Sequence, residues 1–361
     1  MDLNRLEHIL DRAASKRIIV IGDLMLDEFV WGKVGRVSPE APVPVVEVTG
    51  ESFYPGGAAN AARNLREFVD QVEVIGLFGK DASGHQLRDL LTRENIDTTN
   101  AIEDQAFRTI VKTRIIARHQ QVVRVDREQI VTPSPEQTAR VVAAVRKKLP
   151  HIDAIIFEDY GKGFLTTELV SQIAREGRAG GKIVTADPNP RHLIDWRVLS
   201  RAAVALALDA DPNPRQLIDW RGMTAVKPNR TEAFLAADIL WREPDDSPAE
   251  DVDLMRAGKA LLAKLDAQYI LITLGAHGMM LFQKSEVPHH IPTKARQVFD
   301  VSGAGDTAIA LFTLGLVCGA TPIEAAEIAN HGSAVVVSKL GTATVTRDEL
   351  VASFREDIEH D

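Results

Sequence analysis

The sequence has one cysteine in 361 residues. A lone thiol, Cys318, excludes a disulfide framework and a thiolate metal cluster, and it fits a reducing, cytoplasmic compartment. No apolar stretch is long enough to cross a bilayer. The longest, TAIALFTLGLVCGA, reads as a buried helix. The N-terminal MDLNRLEHILDRAASKR carries acids and lacks the apolar core of a signal peptide. Its Leu3, Leu6, Ile9, Leu10 and Ala13 recur at helical spacing. Positive charge is also in deficit: the net charge is −9. That argues against nucleic acid or an anionic membrane as the main partner. It leaves room for an anionic small molecule, since a few local arginines hold one phosphate. His85, His277 and His331 share no ligand spacing, so no zinc site is expected.

What is present is ordinary globular composition, 45% apolar and 26% charged. The length suits one large α/β domain or two small ones. Short apolar runs alternate with helical patterns: RIIVIGD, VEVIGLFG, DAIIFEDY, GKIVTADP, TAVKPN and AQYILITLG read as strands, with GMMLFQK as a further candidate. This rhythm predicts a mostly parallel sheet covered on both faces, with ligands beyond the carboxyl ends of its strands. Asp23, Asp159, Asp187, Asn229 and Gly275 fall there. Two β-rich stretches break the rhythm, near residues 30–50 and 108–126, and are expected to form a small lid or an oligomer contact. The second, TIVKTRIIARHQQVVRVD, alternates on both sides of a polar break, as a hairpin does.

One segment is duplicated. ADPNPRHLIDWR (Ala186–Arg197) returns as ADPNPRQLIDWR (Ala210–Arg221) with one difference. Two copies cannot build a solenoid. A tolerated surface insertion is expected, because lengthening a loop costs little entropy. Trp196 and Trp220, one in each copy, read as packing residues.

The loop FDVSGAGDTAIA (Phe299–Ala310) admits three readings. A P-loop is excluded because no Lys-Ser or Lys-Thr follows the glycines. A dinucleotide loop is weakened by the missing third glycine. Helix capping by Ser302 or Asp306 explains the acid but not Gly303 and Gly305 beside it. Free N–H groups at a helix start make an anion site. A carboxylate in that site suits a base that takes a proton from an acceptor hydroxyl while the N–H groups hold a moving phosphoryl group. The helix dipole is expected to keep Asp306 ionised. In KPNRTE, Asn229 and Glu232 form an oxygen pair that suits Mg²⁺, and equally a capping box. TLGAHG is a glycine turn between strands, or a plain hairpin.

Together these stretches resemble the ribokinase-like (PfkB-type) carbohydrate kinases. DVSGAGD is similar to their C-terminal signature and PGGAANAARNL to their N-terminal one, with GLFGKDASG and KPNRTE between them in the family order. The resemblance covers nearly the whole chain. It implies one ribokinase-like domain over residues 1–361, a three-layer α/β/α sandwich with a β lid and an insertion within 186–221. A narrower likeness lies in GDLMLDEFVWGKVGRVSPEAPVPVVEV, supported by RTIVKTRIIARHQQVVRVD and FEDYGKGFL. These stretches resemble the D-glycero-D-manno-heptose-7-phosphate kinases of lipopolysaccharide heptose biosynthesis, which convert the sugar to its 1,7-bisphosphate with ATP. No HxGH nucleotidyltransferase motif occurs, so the likeness is to the stand-alone kinase.

The resemblance implies roles residue by residue. Asp306 is the expected base, and the backbone of Gly303, Ala304 and Gly305 the anion hole. Asn229 and Glu232 would organise Mg²⁺ and the ATP phosphates, while Gly275, Gly278 and Asn330 border the nucleoside. Asp300 and Ser302 match the place where the family often binds a monovalent cation such as K⁺. Asp23, Asp27, Gly56, Gly57 and Asn60 would bind sugar hydroxyls. Arg36, Arg114, Arg118 and Lys162 are the candidates for the 7-phosphate, with Arg36 foremost. A homodimer through the lid is expected. Another sugar kinase of the same fold, or a non-catalytic sugar-binding homologue, are the competing readings.

Overall fold

A computed structural model describes residues 1–118, 120–189, 218–242, 247–295 and 297–358. Helix α1 (Leu3–Asp11), capped by Asp2, leads into strand β1 (Arg17–Gly22). Two long strands, β2 (Leu24–Val37) and β3 (Pro44–Gly57), form a hairpin. Helix α2 (Ala58–Arg66), β4 (Gln71–Ile75), β5 (Leu77–Gly79), α3 (Ala82–Arg93) and β6 (Ile102–Asp104) follow. A second hairpin, β7 (Ile110–Ala117) and β8 (Gln120–Arg127), precedes α4 (Pro135–Lys148), β9 (Ala154–Glu158), α5 (Thr167–Ala179) and β10 (Ile183–Asp187). The rest comprises β11 (Ala225–Val226), α6 (Arg230–Ala236), α7 (Val252–Leu265), β12 (Tyr269–Thr273), β13 (Met279–Gln283), β14 (His289–Ile291), α8 (Ala304–Val317), α9 (Pro322–Val337) and α10 (Arg347–Ile358).

The main sheet has the order β14-β13-β12-β11-β10-β9-β1-β4. It is parallel from β4 to β12, and β13 and β14 run antiparallel at one edge. Its central strands are buried on both faces, which is why β1 and β9 read as continuous apolar runs. Alternate side chains feed two cores. Ile18, Val20 and Ile156 pack with α1, α2, α8 and α9. Ile19, Ile21, Ile155 and Phe157 pack with α4, α5, α6 and α7. The result is the expected α/β/α sandwich.

The two hairpins join into one four-stranded lid sheet, β3-β2-β7-β8. The lid is longer than the β-rich stretches in the sequence indicate: β2 begins at Leu24 and β3 ends at Gly57, so the sheet reaches the base of the site. VEVIGLFG is not one strand. It breaks at Gly76, where a Cβ would sit 2.4 Å from Leu24 Cγ, and β5 leaves the main sheet to pair with β6. TAVKPN contributes only a two-residue strand. Most of the duplicated segment lies outside the described residues, but its two ends do not. The chain leaves β10 through Ala186–Asn189 of the first copy and is next described at Ile218–Arg221 of the second. There Trp220 is buried edge-on against Phe157.

Candidate active site

The strand ends deliver acids to one place. Asp23 follows β1, Glu158 and Asp187 end β9 and β10, and Asn229 follows β11. Over them comes the start of α8, buried on almost every side, with Asp306 in its first turn and 3% exposed. Gly303 caps α8 at φ 80°, a conformation that favours glycine. A Cβ there would also lie 2.5 Å from Asn60 Nδ2. That amide donates to Asp306 Oδ2 at 2.8 Å, and the Tyr160 hydroxyl donates to Oδ1. Thr307 donates to Asn64 Oδ1 at 3.1 Å, a second tie between α8 and α2.

The site is rich in negative charge. Glu158, Asp187 and Asp306 each place a carboxylate oxygen within 4.8 Å of the others. Glu158 is fully buried, and neither of its oxygens meets a hydrogen-bond donor among the described residues. Lys227 lies 2.9 Å from Asp187 Oδ2. Burial alone would depress its ammonium, but Asp187, Glu232 and Glu158 raise it, so it stays charged. Burial pushes the Glu158 carboxyl well above the ordinary range, reinforced by Asp187 and Asp306. Burial also moves Asp306 up to about 7, against the hydrogen bonds from Tyr160 and Asn60. This corrects the expectation that the helix dipole keeps Asp306 ionised. A dipole contributes about 0.3–1 kcal/mol near a helix end, less than the cost of desolvating the carboxylate.

Asn229 and Glu232 form the capping box that the sequence also allowed. Asn229 Oδ1 accepts from Glu232 N at 2.9 Å and Glu232 Oε2 accepts from Asn229 N at 2.7 Å. One oxygen of each is thereby committed to the backbone. Burial and Asp187 lift the Glu232 carboxyl to about 7. The cluster of Glu158, Asp187, Asp306 and Glu232 has Lys227 beside it and an unpartnered buried carboxyl within it. An oxygen-only donor set of this kind fits a hard divalent cation such as Mg²⁺.

On one side of Asp306 lies a cavity of about 410 Å³. Gly275, Gly278 and Asn330 line it together with Ala304, Gly305 and Ser333. The structure therefore brings the expected nucleoside residues to the expected anion hole. TLGAHG is also the hairpin turn joining β12 to β13. Asn330 Nδ2 is engaged by Pro292 O at 2.6 Å.

On the other side lies the base of the lid. Asp27 accepts from Arg114 and, through Oδ2, from Thr342 Oγ1 at 3.1 Å. Gly56 is close-packed here, since a Cβ would lie 2.4 Å from Asp27 Oδ2, and Gly57 turns the chain into α2 at φ 59°. Asp23 is tied down by the backbone N–H groups of Tyr160, Lys162 and Phe164, at 2.9, 3.0 and 3.3 Å. It shapes the loop after β9. Asn60 is best described as a clamp on Asp306, with its Oδ1 buried and unpartnered among the described residues.

Two of the expected phosphate ligands, Arg36 and Arg118, lie away from Asp306 of their own chain. Arg36 is exposed near the far end of the first hairpin, and extended strand from Asp27 to Arg36 spans roughly 30 Å. Arg118 sits exposed at the turn of the second hairpin with φ 59°. Neither reaches Asp306 of its own chain. Arg114 is near the site, but its guanidinium is paired with Asp27 and lies over the Phe29 ring. Asp300 and Ser302 form a turn: Asp300 Oδ1 accepts from Ser302 N at 2.9 Å and Oδ2 from Gly341 N at 3.2 Å. Sequence reasoning assigned no role to Tyr160, Lys227 or Lys112. The available signal was position, since Tyr160 and Lys227 both follow a strand at the edge where ligands bind.

A parallel sheet under a β lid, with a buried carboxylate at a helix N-terminus between a nucleoside-sized cavity and the lid, defines a ribokinase-like sugar kinase. The profile of the "pfkB family carbohydrate kinase" matches residues 15–349, and the chain belongs to that family. It is 38% identical over 343 residues to "Bifunctional protein HldE" of Desulfatibacillum aliphaticivorans, covering 95% of this chain and 64% of that protein. With the protein of the same name from Geotalea uraniireducens the identity is 38% over 354 residues, covering 98% and 66%. The chain thus spans about two thirds of the length of these relatives. Among solved structures, phosphofructokinase-2 from Escherichia coli in complex with potassium superposes with a TM-score of 0.69 at 17% identity, covering 94% of this chain and 98% of that one. Arabidopsis thaliana ribokinase complexed with ribose and ATP gives 0.66 at 18%, covering 94% and 99%. These likenesses establish the fold. No described helix is long and apolar enough to cross a membrane.

Proposed function

We propose that the chain phosphorylates the anomeric hydroxyl of D-glycero-D-manno-heptose 7-phosphate with ATP. The observation that carries the kinase chemistry is Asp306, buried at the start of α8 and held by Asn60 and Tyr160. The sugar assignment rests on the Gly22–Val48 resemblance and is supported by the HldE relatives. In this reading Asp306 takes the proton of the acceptor hydroxyl as the sugar oxygen bonds to the γ-phosphorus of ATP and the bond from that phosphorus to the β-phosphate oxygen breaks, releasing ADP, and its pKa of about 7 suits a base at neutral pH. The N–H groups of Gly303 and Gly305 would hold the transferring group, with the Lys227 ammonium beside Gly305; the Ala304 N–H, expected to join them, instead donates to Val301 O at 3.3 Å. Glu158, Asp187 and Glu232 would hold Mg²⁺, which supplies charge neutralisation for the phosphates. The cavity by Asn330 takes the nucleoside, and Asp300 and Ser302 remain the place for a monovalent cation.

A homodimer through the lid belongs to the same proposal. Val37, Val43, Val48, Val122, Val123 and Val125 are all exposed on it, at 38% or more. The test is a panel of sugars and sugar phosphates with ATP and Mg²⁺. The heptose 7-phosphate should show the highest kcat/KM. A preference for fructose 6-phosphate or ribose would replace the substrate while keeping the kinase.

A further inference from the structure

Lys112 and Lys162 approach one anion from two directions beneath the lid. Lys112 is on β7, in register with Asp27 of β2 and Asp126 of β8. Lys162 lies on the loop after β9, its backbone N–H fixed by Asp23. Their side chains are only 17% and 12% exposed. The Glu128 carboxylate lies between them, 2.5 Å from Lys162 Nζ and 4.0 Å from Lys112 Nζ. Glu128 belongs to the coil just past β8 and is itself 29% exposed.

We propose that Glu128 is a placeholder, and that Lys112 and Lys162 form the seat of the sugar's distal phosphate, which displaces the Glu128 carboxylate on binding. The inference rests on the heptose 7-phosphate reading and names the residues that read the phosphate. Charge supports it. Two ammonium groups on one carboxylate leave an excess positive charge, which a phosphate dianion matches and a carboxylate does not. Burial, followed by the nearby Lys162 ammonium, already depresses Lys112. Two poorly exposed like charges facing each other are costly unless an anion joins them. Lysine serves phosphate as a point charge and needs no bidentate geometry.

Position supports it too. Lys112 Nζ lies 6.0 Å from the centre of the Tyr160 ring, and the Tyr160 hydroxyl is on Asp306. Lys112 and the base therefore meet the same tyrosine side chain, one over its ring and the other at its hydroxyl, which puts the phosphate seat and the reacting hydroxyl within reach of one sugar. Among the described residues, the nearby arginines are engaged: Arg114 by Asp27, Arg124 by Asp126 through two bonds at 2.9 and 3.0 Å, and Arg127 by Glu28 at 3.6 Å. Placeholder exchange also makes discrimination physical. A sugar without the phosphate leaves Glu128 where it is.

The test is calorimetric binding of heptose 7-phosphate and of the same heptose without phosphate, in the absence of nucleotide, to the wild type, K112M, K162M, E128Q and R36A. Each lysine variant should lose about 10- to 100-fold in affinity for the phosphorylated sugar and nothing for the other. E128Q should bind the phosphorylated sugar several-fold more tightly, and R36A should match the wild type. Thermal melts report whether each variant is folded; equal losses for both sugars would mean a merely structural role and overturn the inference. If the wild type discriminates and both lysine variants still do, the phosphate sits elsewhere and the substrate reading survives. If the wild type binds both sugars equally, the 7-phosphate reading itself falls.

Discussion

Tyr160 donates its hydroxyl hydrogen to Asp306 Oδ1, joining the loop after β9 to the first turn of α8. That bond favours the ionised carboxylate and opposes the burial that raises its pKa. Tyr160→Phe removes the donor. The acid limb of the kcat/KM profile, set near pH 7 by Asp306, should then move to higher pH, with roughly tenfold lower activity at neutrality and a smaller deficit at high pH. A uniform loss at every pH would instead assign Tyr160 to substrate contact.

Asp306→Asn keeps the shape of the site and removes the base. Turnover should fall by about 10²- to 10⁴-fold, while ATP binding, read by calorimetry, stays within a few-fold. Retention of near-normal kcat would remove Asp306 from the chemistry.

How far the sequence revealed this site depends on the kind of relationship. The α8 start was legible because glycines, an acid and an apolar run stand together within a few positions. So was the lid, through its alternation. The distance of Arg36 from Asp306 was not legible, because resemblance places a residue in a motif but says nothing of its depth. The strand between Asp27 and Arg36 carries it out to the hairpin's far end. Asn60 and Asp306 are 246 positions apart, and no local pattern links them. The same holds for Lys112, Lys162 and Glu128, which meet only when the lid folds over the sheet. The split of VEVIGLFG was hidden because what goes with it, the close approach of Leu24 to Gly76 and the pairing of β5 with β6, joins segments distant in sequence.

The raised carboxyls also set the pH dependence of stability. Folded-state values near 6 for Asp23 and near 7 for Asp306 and Glu232 lie above those of the unfolded chain. Such groups contribute stability that is fully present below about pH 4 and is lost as pH rises through 6 to 7. In EDTA and without nucleotide, this contribution should lower Tm as pH goes from 5 to 8. Asp306→Asn should flatten the decline. A Tm rising across that range in the wild type would contradict the desolvated cluster.

Divalent cation should act in the opposite sense, because it binds the deprotonated carboxylates. Mg²⁺ at a hundred times its Kd contributes about 2.7 kcal/mol, a Tm increase of several degrees. The increase should be larger at pH 8 than at pH 6. Glu158→Gln should remove most of it, since that carboxyl has no other partner among the described residues. An undiminished shift in this variant would exclude Glu158 from the cation site.

The duplicated segment supplies the last test. The described chain uses the opening of the first copy, Ala186–Asn189, and the close of the second, Ile218–Arg221. Those two ends together are what a single copy would provide. Deleting Val198–Arg221 leaves ADPNPRHLIDWR running directly into Gly222. Trp196 then falls at the sequence position of Trp220, and Ile194 at that of Ile218. The deletion should keep the contact with Phe157 and shorten the connection from β10 to β11. Tm should hold or rise slightly, and kcat/KM should stay within about twofold. Trp220→Ala in the full chain should cost about 3–5 kcal/mol, because it empties the packed position. If the deletion costs as much as Trp220→Ala, the copies are not interchangeable, and the additional residues contribute to the fold.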